Sequence, residues 1–321
     1  MFDERPVTGT PFHAGELALQ DRLGVRDRVG RFAARAIVDR LPNQHRAFYE
    51  QLPFALLGSL DARGRPWASL LAGDPGFLSS PDPQRLQVAA LPFAGDPAAD
   101  NLAPGAPVGL LGIDLETRRR NRLSGRVVGR SAEGFDIAVH QAFGNCPQYI
   151  QSRRLQPLED GAPPGPRGVS RATQFDSRAK ALIAQADTLF IASAAGAAVT
   201  GAAQGVDVSH RGGKPGFVRL EDDRTFLLPD FAGNRYFNTL GNILLNPKCG
   251  FLFVDFAGGS LLSMTGAAEI IWDAVELRAF AGAERLLRFQ AEEVVRLDAC
   301  LPFRFVFDSF SPSLARTGQW T

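Results

Sequence analysis

The chain has 321 residues, 45% of them hydrophobic and 21% charged, with 35 basic residues against 34 acidic and a formal net charge of +1. That length suits about two domains with full cores, and the balanced charge gives no bulk electrostatic case for nucleic acid or an anionic membrane as partner. Only three cysteines occur (Cys146, Cys249, Cys300), no apolar run is long enough to span a bilayer, and the N-terminus resembles neither a secretory nor a transit signal; the expectation is a cytoplasmic protein without disulfides.

Residues 1–42 mix acids and bases at helical spacing and read as a helical segment. A further helical run, "NQHRAFYEQLP", opens a β-rich unit over 43–157. Its strands are "FALLGSLD", a segment reaching the bend "GDPGF" (73–77), "RLQVAALP", the apolar "VGLLGIDL" (108–115) and "RLSGRVVG", with the loop "FAGDPAADN" between the third and fourth. The basic run "ETRRRNRLSGR" (116–126) is expected on a hairpin, as a solvated edge that discourages strand pairing between molecules. "GFDIAVHQAFGNCPQYIQSRRLQP" reads as helical, with Cys146 buried and the basic end solvated. "PLEDGAPPGPRG" then marks a Pro/Gly linker over 158–172.

The second unit, 173–321, follows the same plan. A helix ("SRAKALIAQAD") leads to the strand "TLFIASA", a Gly-rich turn, a strand reaching "GKPGF" (213–217), the strand "RTFLLPD", the loop "FAGNRYFNT" and a short helix stopped at Pro247. The strands "CGFLFVDF" (249–256) and "SLLSMTGAAEIIW" come next. A helix, "DAVELRAFAGAERLLRFQAEEVVRLDA", and a terminal strand, "LPFRFVFDSFSPSLARTGQW", are expected to close the chain.

The two units overlay. One offset places "VGLLGIDL" on "CGFLFVDF" and "LSGRV" on "MTGAA"; nearby offsets place "GDPGF" on "GKPGF", "FAGD" on "FAGN" and "FALLGS" on "LFIASA". Order and spacing hold over roughly 80 residues per copy, the signature of a duplication. The fold class that follows is mainly β with flanking helices (α+β), built as two tandem antiparallel split β-barrels.

Chemical motifs are sparse. There is no dinucleotide fingerprint, P-loop or nucleophile elbow, the four histidines are scattered, and no Cys or His set has metal spacing. The second copy does carry anion-binding features. "SHRGGKPGF" puts Arg211 and Lys214 beside glycines at a bend, and "GNRYFNT" sets Arg235, amides and hydroxyls ahead of a helix. An Arg that merely braces a turn and a solvated Lys account for these residues equally well.

From about 175 to 275 the second copy resembles the FMN-binding split β-barrel of the pyridoxamine 5′-phosphate oxidase-like superfamily, on "ADTLFIASA", "SHRGGKPGFVRLEDDRTFLLPDFAGNRYFNTLGNILLNP" and "GFLFVDF". The resemblance implies an FMN phosphate held by Arg211, by Lys214, Phe217, Val218 and Arg219 on one strand, and by Asn234, Arg235, Asn238 and Thr239 at the turn. It implies Pro229 and Asp230 near the ring, and it makes His210, Gln148, Arg153 and Arg154 candidates on the substrate side. In the first copy Asp96 and Pro97 replace Asn234 and Arg235, and the cradle looks lost. Relatives pair two barrels around each flavin, so either an intrachain pseudo-dimer or a homodimer would serve. Arg316 and Trp320 either meet the flavin edge or simply dock the tail. The implied activity is that of an FMN-dependent oxidoreductase acting on an unidentified small molecule, without a metal. The terminal Trp…Arg-Leu-x-Pro pattern of the oxidase itself is missing, and "RLQP" (154–157) stands mid-chain. The alternative is a non-catalytic module holding flavin, a deazaflavin or haem as carrier, sensor or partner domain.

Overall fold

The computed structural model describes residues 10–158, 165–196, 199 and 203–320. The first nine residues of the N-terminal segment, 159–164 of the linker and part of the Gly-rich turn after "TLFIASA" lie outside that set. Three helices come first: α1 (Ala14–Arg22), α2 (Arg26–Ala36) and α3 (Asn43–Glu50). The first barrel is β1 (Phe54–Leu60), β2 (Pro66–Ala72), β3 (Leu78–Ser79), β4 (Arg85–Val88), β5 (Pro107–Asp114), β6 (Arg119–Arg130) and β7 (Phe135–Asn145), one sheet ordered β2-β1-β5-β6-β7-β4-β3. Two strands, β8 (Ser152–Pro157) and β9 (Gly168–Ala172), and the helix α4 (Ser177–Gln185) lead to the second barrel.

That barrel opens with β10 (Thr188–Ala194), β11 (Val206–Gly212), β12 (Arg219–Leu220), β13 (Thr225–Phe231), α5 (Asn238–Leu245) and β14 (Lys248–Val254). It closes with β15 (Leu261–Ile271), α6 (Val275–Ala279) and β16 (Ala283–Asp298), in the order β11-β10-β14-β15-β16-β13-β12. Strand for strand the two orders are the same. The duplication read from the residues is therefore one of topology, and the chain is a tandem pair of antiparallel split barrels. The last strand, β17 (Phe303–Ser309), pairs with β8, so the strands that trail each barrel meet in a two-stranded ribbon.

The repeated bend is the same object twice. Gly76 and Gly216 take φ of 99° and 84°, the left-handed region that favours glycine. A Cβ on Gly73 or Gly213 would run into the ring of Phe77 or Phe217, which closes the bend over each core. One overlay needs correcting: Gly58 faces Gly109 where Ala192 faces Gly250, so β1 matches β10 one residue away from the "FALLGS" on "LFIASA" alignment. In a strand that one residue exchanges the two faces.

Those faces explain why the central strands read as unbroken apolar runs. Ala55 and Leu57 of β1 enter the first barrel's core, while Phe54 and Leu56 enter a third cluster at the seam between barrels. In the second copy Leu189 and Ile191 face the barrel core and Phe190 and Ala192 face the seam. A strand buried on both sides has no polar face to alternate with.

Two expected helices are strands. Residues 135–145 form β7 and 152–157 form β8, and the "helix" after α6 is the 16-residue β16. Its Ala, Glu, Leu and Arg favour helix in isolation. In the barrel, however, Leu287, Phe289 and Ala291 alternate into the core while Arg288 and Gln290 do not, and a register shift against β15 between Thr265 and Gly266 lets Val294 and Val295 continue the burial. Packing overrides propensity. The expected linker is only partly a linker, because Gly168–Ala172 forms β9 against β16.

The N-terminal helices join the two barrels. Helix α1 lies on α5 with Gly15 and Gly241 at their contact: a Cβ on Gly15 would come within 2.2 Å of Gly241 O. Val29, Ala33 and Ile37 of the α2 region pack with Phe143 of the first barrel and Tyr236 of the second. Among the described residues, no helix is long and apolar enough to cross a membrane.

Candidate functional site

A cleft with about 850 Å³ of empty space, counted out to its open mouth, lies where the barrels meet. Both copies build it. The first supplies Arg120 and Arg122 from β6, with Asn145, Cys146, Gln148 and Tyr149 from the end of β7 and the turn beyond. The second supplies residues 209–212 of β11, the end of β13, the turn at 233–237, the start of α5 and Arg285 of β16.

Helix α5 begins without a cap. Phe237 at its N-cap is left-handed (φ 66°) and its side chain gives no bond. Arg235 is left-handed too (φ 66°), which is uncommon for a residue with a side chain. Asn234 Oδ1 braces the turn by accepting from Tyr236 N at 3.1 Å. The first amides of any helix lack intrahelical partners, so α5 turns N–H groups and the positive end of its dipole toward the cleft lined by Asn238 and Thr239.

The first barrel fills the equivalent place with its own carboxylate. Asp96 is the N-cap of a short 3₁₀ turn (Pro97–Asp100), and its Oδ1 accepts from Ala98 N at 2.8 Å and Ser69 Oγ at 2.6 Å. Strand β9 closes over it: Val169 covers Gly95, and Arg171 donates to Gly95 O at 3.1 Å and to Glu293 at 3.0 Å. Burial pushes the Asp96 carboxyl up to about 6, against the bonds from Ser69 and Ala98.

Five arginines line the open cleft: Arg120, Arg122, Arg211, Arg235 and Arg285. Asp230 lies 3.4 Å from Arg211 and 3.1 Å from Arg285, and Asp207 lies 3.3 Å from Arg122. Glu284 takes bonds of 2.6 and 2.5 Å from Arg235 and a further one from Arg285. Among the described residues Arg120 has no acidic partner; its Nε donates to Cys146 O at 2.8 Å. Burial, with Arg122 and Arg211 beside it, pushes the Arg120 pKa down to about 9. Nε of Arg122, Nε of Arg211 and NH1 of Arg285 are buried without a hydrogen-bond partner. Cationic donors thus outnumber the acceptors available to them, and an anion would restore the balance.

Of the residues expected around the cofactor, Arg211, Pro229, Asp230, Asn234, Arg235, Asn238 and Thr239 line the cleft. Lys214, Phe217, Val218 and Arg219 lie elsewhere. Phe217 and Val218 belong to the barrel core. Lys214 Nζ donates to Thr317 O at 2.7 Å, and Arg219 lies 4.4 Å from the ring centre of Trp320. The C-terminal tail draws these two cations away, docked by Trp320 Nε1 donating to Phe217 O at 2.9 Å and by an edge contact with Phe280.

Of the substrate-side candidates, Gln148 and His210 line the cleft. The His210 ring packs edge-on against Phe190, and burial together with Arg120, Arg211 and Arg153 holds its pKa well below the ordinary imidazole value. It is neutral, and its Nε2 is buried without a partner. Arg153 is instead buried against Asp187, within 2.6 Å of both carboxylate oxygens, and Arg154 sits on the ribbon opposite Val306.

Arg120, Arg122 and Arg285 are absent from the sequence-derived set. The run at 116–126 is no solvated edge: Arg120 and Arg122 turn into the cleft, while Arg119 turns outward onto Phe48. Two-residue periodicity along a hairpin strand was the signal that separates them. Arg285 lies in β16, whose helix-favouring residues mask the strand pattern.

The donor set suits a phosphorylated ring. Guanidinium N–H groups without partners stand beside the start of α5, ready for a phosphate, and Phe231, Phe237, Leu240 and Tyr149 add apolar wall. Residues 175–298 match the family profile described as pyridoxamine 5′-phosphate oxidase. No curated protein matches the chain. Among solved structures, HupZ of Group A Streptococcus is 20% identical over 37% of this chain and 90% of its own, with a TM-score of 0.29. A protein related to general stress protein 26, from the pyridoxinephosphate oxidase family of Clostridium acetobutylicum, is 14% identical over 40% of this chain and 92% of its own, with a TM-score of 0.30. HutZ, the heme storage protein of Vibrio cholerae, is 16% identical over 39% and 95%, with a TM-score of 0.27.

Proposed function

We propose that this chain, whose second half belongs to the pyridoxamine 5′-phosphate oxidase-like split-barrel superfamily, binds FMN in the inter-barrel cleft and serves as a flavin-dependent oxidoreductase. The observation that carries the reading is the contrast between the two copies: one helix start is capped by Asp96, while its twin at Phe237 is uncapped and faces guanidinium groups short of counter-charge. Asn238, Thr239 and the α5 amides would hold the phosphate, with Arg122 and Arg120 reaching across from the first barrel. Pro229, Phe231 and Tyr149 would shield the ring from water. The bound flavin supplies hydride or electron transfer.

A second reading, a non-catalytic flavin carrier, rests on how firmly the cleft's titratable groups are engaged. Tyr149 Oη donates to Ala232 O at 3.1 Å and Asp230 is ion-paired. The purified protein, equilibrated with FMN and freed of unbound flavin by gel filtration, is expected to retain flavin absorbance near ~370 and ~450 nm, a property of the cofactor itself. Bleaching on addition of NADH or NADPH, and recovery in air, would favour the oxidoreductase over the carrier. Failure to take up FMN would remove both readings.

A further inference from the structure

The N-terminal helix reaches the cleft through a closed ring of side chains. Glu16 Oε1 accepts from Asn238 Nδ2 at 2.5 Å, and Asn238 Oδ1 accepts from Arg122 NH1 at 3.1 Å. Arg122 contacts Asp207 at 3.3 Å and also donates to Ser209 Oγ. Asp207 Oδ2 accepts from Asn242 Nδ2 at 3.0 Å, and Asn242 Oδ1 lies 2.9 Å from His13 Nε2. His13 N, donating to Glu16 Oε2 at 2.8 Å, closes the circuit. Because the Asn242 amide donates to Asp207 and Ser193, its oxygen faces His13, which fixes a neutral imidazole with the proton on Nε2 and Nδ1 free to accept from Gly15 N.

The ring spans four elements: α1, α5, β11 and β6. Two of its members, Asn238 and Arg122, line the cleft, whereas Glu16 is 2% exposed and does not. Among the described residues, the charged groups acting on Glu16 are Asp207 on β11 and Arg122 on β6; α5 contributes the uncharged Asn238. Burial, with Asp207 beside it, pushes the Glu16 carboxyl well above its ordinary value, against the His13 amide, Asn238 and Arg122; such a group is costly unless both oxygens are used, and both are.

We propose that Glu16 is a positioning residue for the ligand of this cleft, fixing the Asn238 amide and through it the Arg122 guanidinium where they meet an anionic group. The proposal rests on the cleft's reading as the site of a phosphorylated ligand. It makes a segment outside both barrels part of the site.

The test is a double-mutant cycle on the full-length chain, read as FMN dissociation constants. Glu16→Ala is expected to raise Kd about tenfold, the scale of one hydrogen bond, and Asn238→Ala to raise it similarly. The double variant is expected to be no worse than Asn238→Ala alone, since Glu16 acts through that amide. Glu16→Gln, which keeps an acceptor, is expected to stay within about threefold of wild type. Independent losses that multiply in the double variant would overturn the proposal, as would an unchanged Kd for Glu16→Ala or a Glu16→Gln as weak as the alanine. If wild type fails to bind FMN, the functional reading falls, and the same cycle run with inorganic phosphate decides the role of Glu16. Binding of neither probe overturns both.

Discussion

Ser69 and Ser209 occupy the same position in the two barrels, each paired with the strand residue that faces the next strand at equivalent sites (Leu57 with Leu110, Ile191 with Phe251). Ser69 Oγ donates to the first barrel's own Asp96, whereas Ser209 Oγ accepts from Thr239 of its own barrel and from Arg122 of the other. One half of the pseudo-dimer is thus closed by an internal carboxylate and by β9, and the other is open to an external anion. The expected stoichiometry is one flavin per chain. A ratio of flavin absorbance to protein near two would contradict it.

Arg120 and Arg235 should behave differently although both line the cleft. Arg235 already has Glu284 as a two-bonded partner, while Arg120 has no carboxylate among the described residues. Arg120→Met is expected to weaken FMN binding by about 1.5–3 kcal/mol, the value of a lost charge-assisted bond, with little change in stability because no buried acid is stranded. Arg235→Ala is expected to cost less than about 1 kcal/mol of binding, since both terminal nitrogens of its guanidinium already donate to Glu284. Equilibrium titration of both variants decides; equal losses would place Arg235 in the cradle after all.

How much of this could be read from residues alone differs between fold and site. The "G-x-P-G-F" bends and the apolar β5 and β14 segments announced the duplication because glycine geometry and two-sided burial leave marks in sequence. The strand β16 did not announce itself: its helix-favouring residues form a strand only because three neighbouring strands and a core hold it there. The turn at Asn234 and Arg235 was visible as a local motif. Arg120 and Arg122 were not recognised, because their role depends on which barrel they face, and that is set by the seam more than 80 residues away in the chain, at Asp207 and Ser209. Lys214 and Arg219 misled for the same reason in reverse: the tail that captures them, at Thr317 and Trp320, is remote in sequence.

Asp96 gives a pH prediction. Its carboxyl sits at about 6 because burial outweighs the bonds from Ser69 and Ala98, and its Oδ2 has no partner. The unfolded value is about 3.9. Between those values the folded state holds more protons than the unfolded, so this group's contribution to stability falls as pH rises from ~4 to ~6 and is constant above. Asp96→Asn removes the titration while keeping an acceptor for Ser69 Oγ and Ala98 N. Urea unfolding of both proteins is expected to show the variant gaining on wild type by about 2–3 kcal/mol between pH 4 and pH 7. A difference that does not change with pH would show that Asp96 is not titrating in this range.

Gly109 and Gly250 give a prediction that links the seam to the cleft. They are duplicate residues, and each meets the other barrel's backbone: a Cβ would fall 2.2 Å from Val206 O at Gly109 and 2.4 Å from Pro66 O at Gly250. Neither has a positive φ, so space and not conformation demands glycine. Alanine at either site must push the barrels apart, and each substitution is expected to cost about 2–3 kcal/mol of stability by overpacking. Their effects on ligand should diverge. Gly109 abuts Val206 and Asp207, next to the ring that sets Arg122, whereas Gly250 abuts Pro66 and Trp67 on the closed side. Gly109→Ala is therefore expected to weaken FMN binding at least about tenfold, about 1.4 kcal/mol, and Gly250→Ala hardly at all. Thermal unfolding and flavin titration measured together test this: matched falls in Tm with matched falls in affinity would mean that general loosening, and not the Asp207–Arg122 contact, governs the cleft.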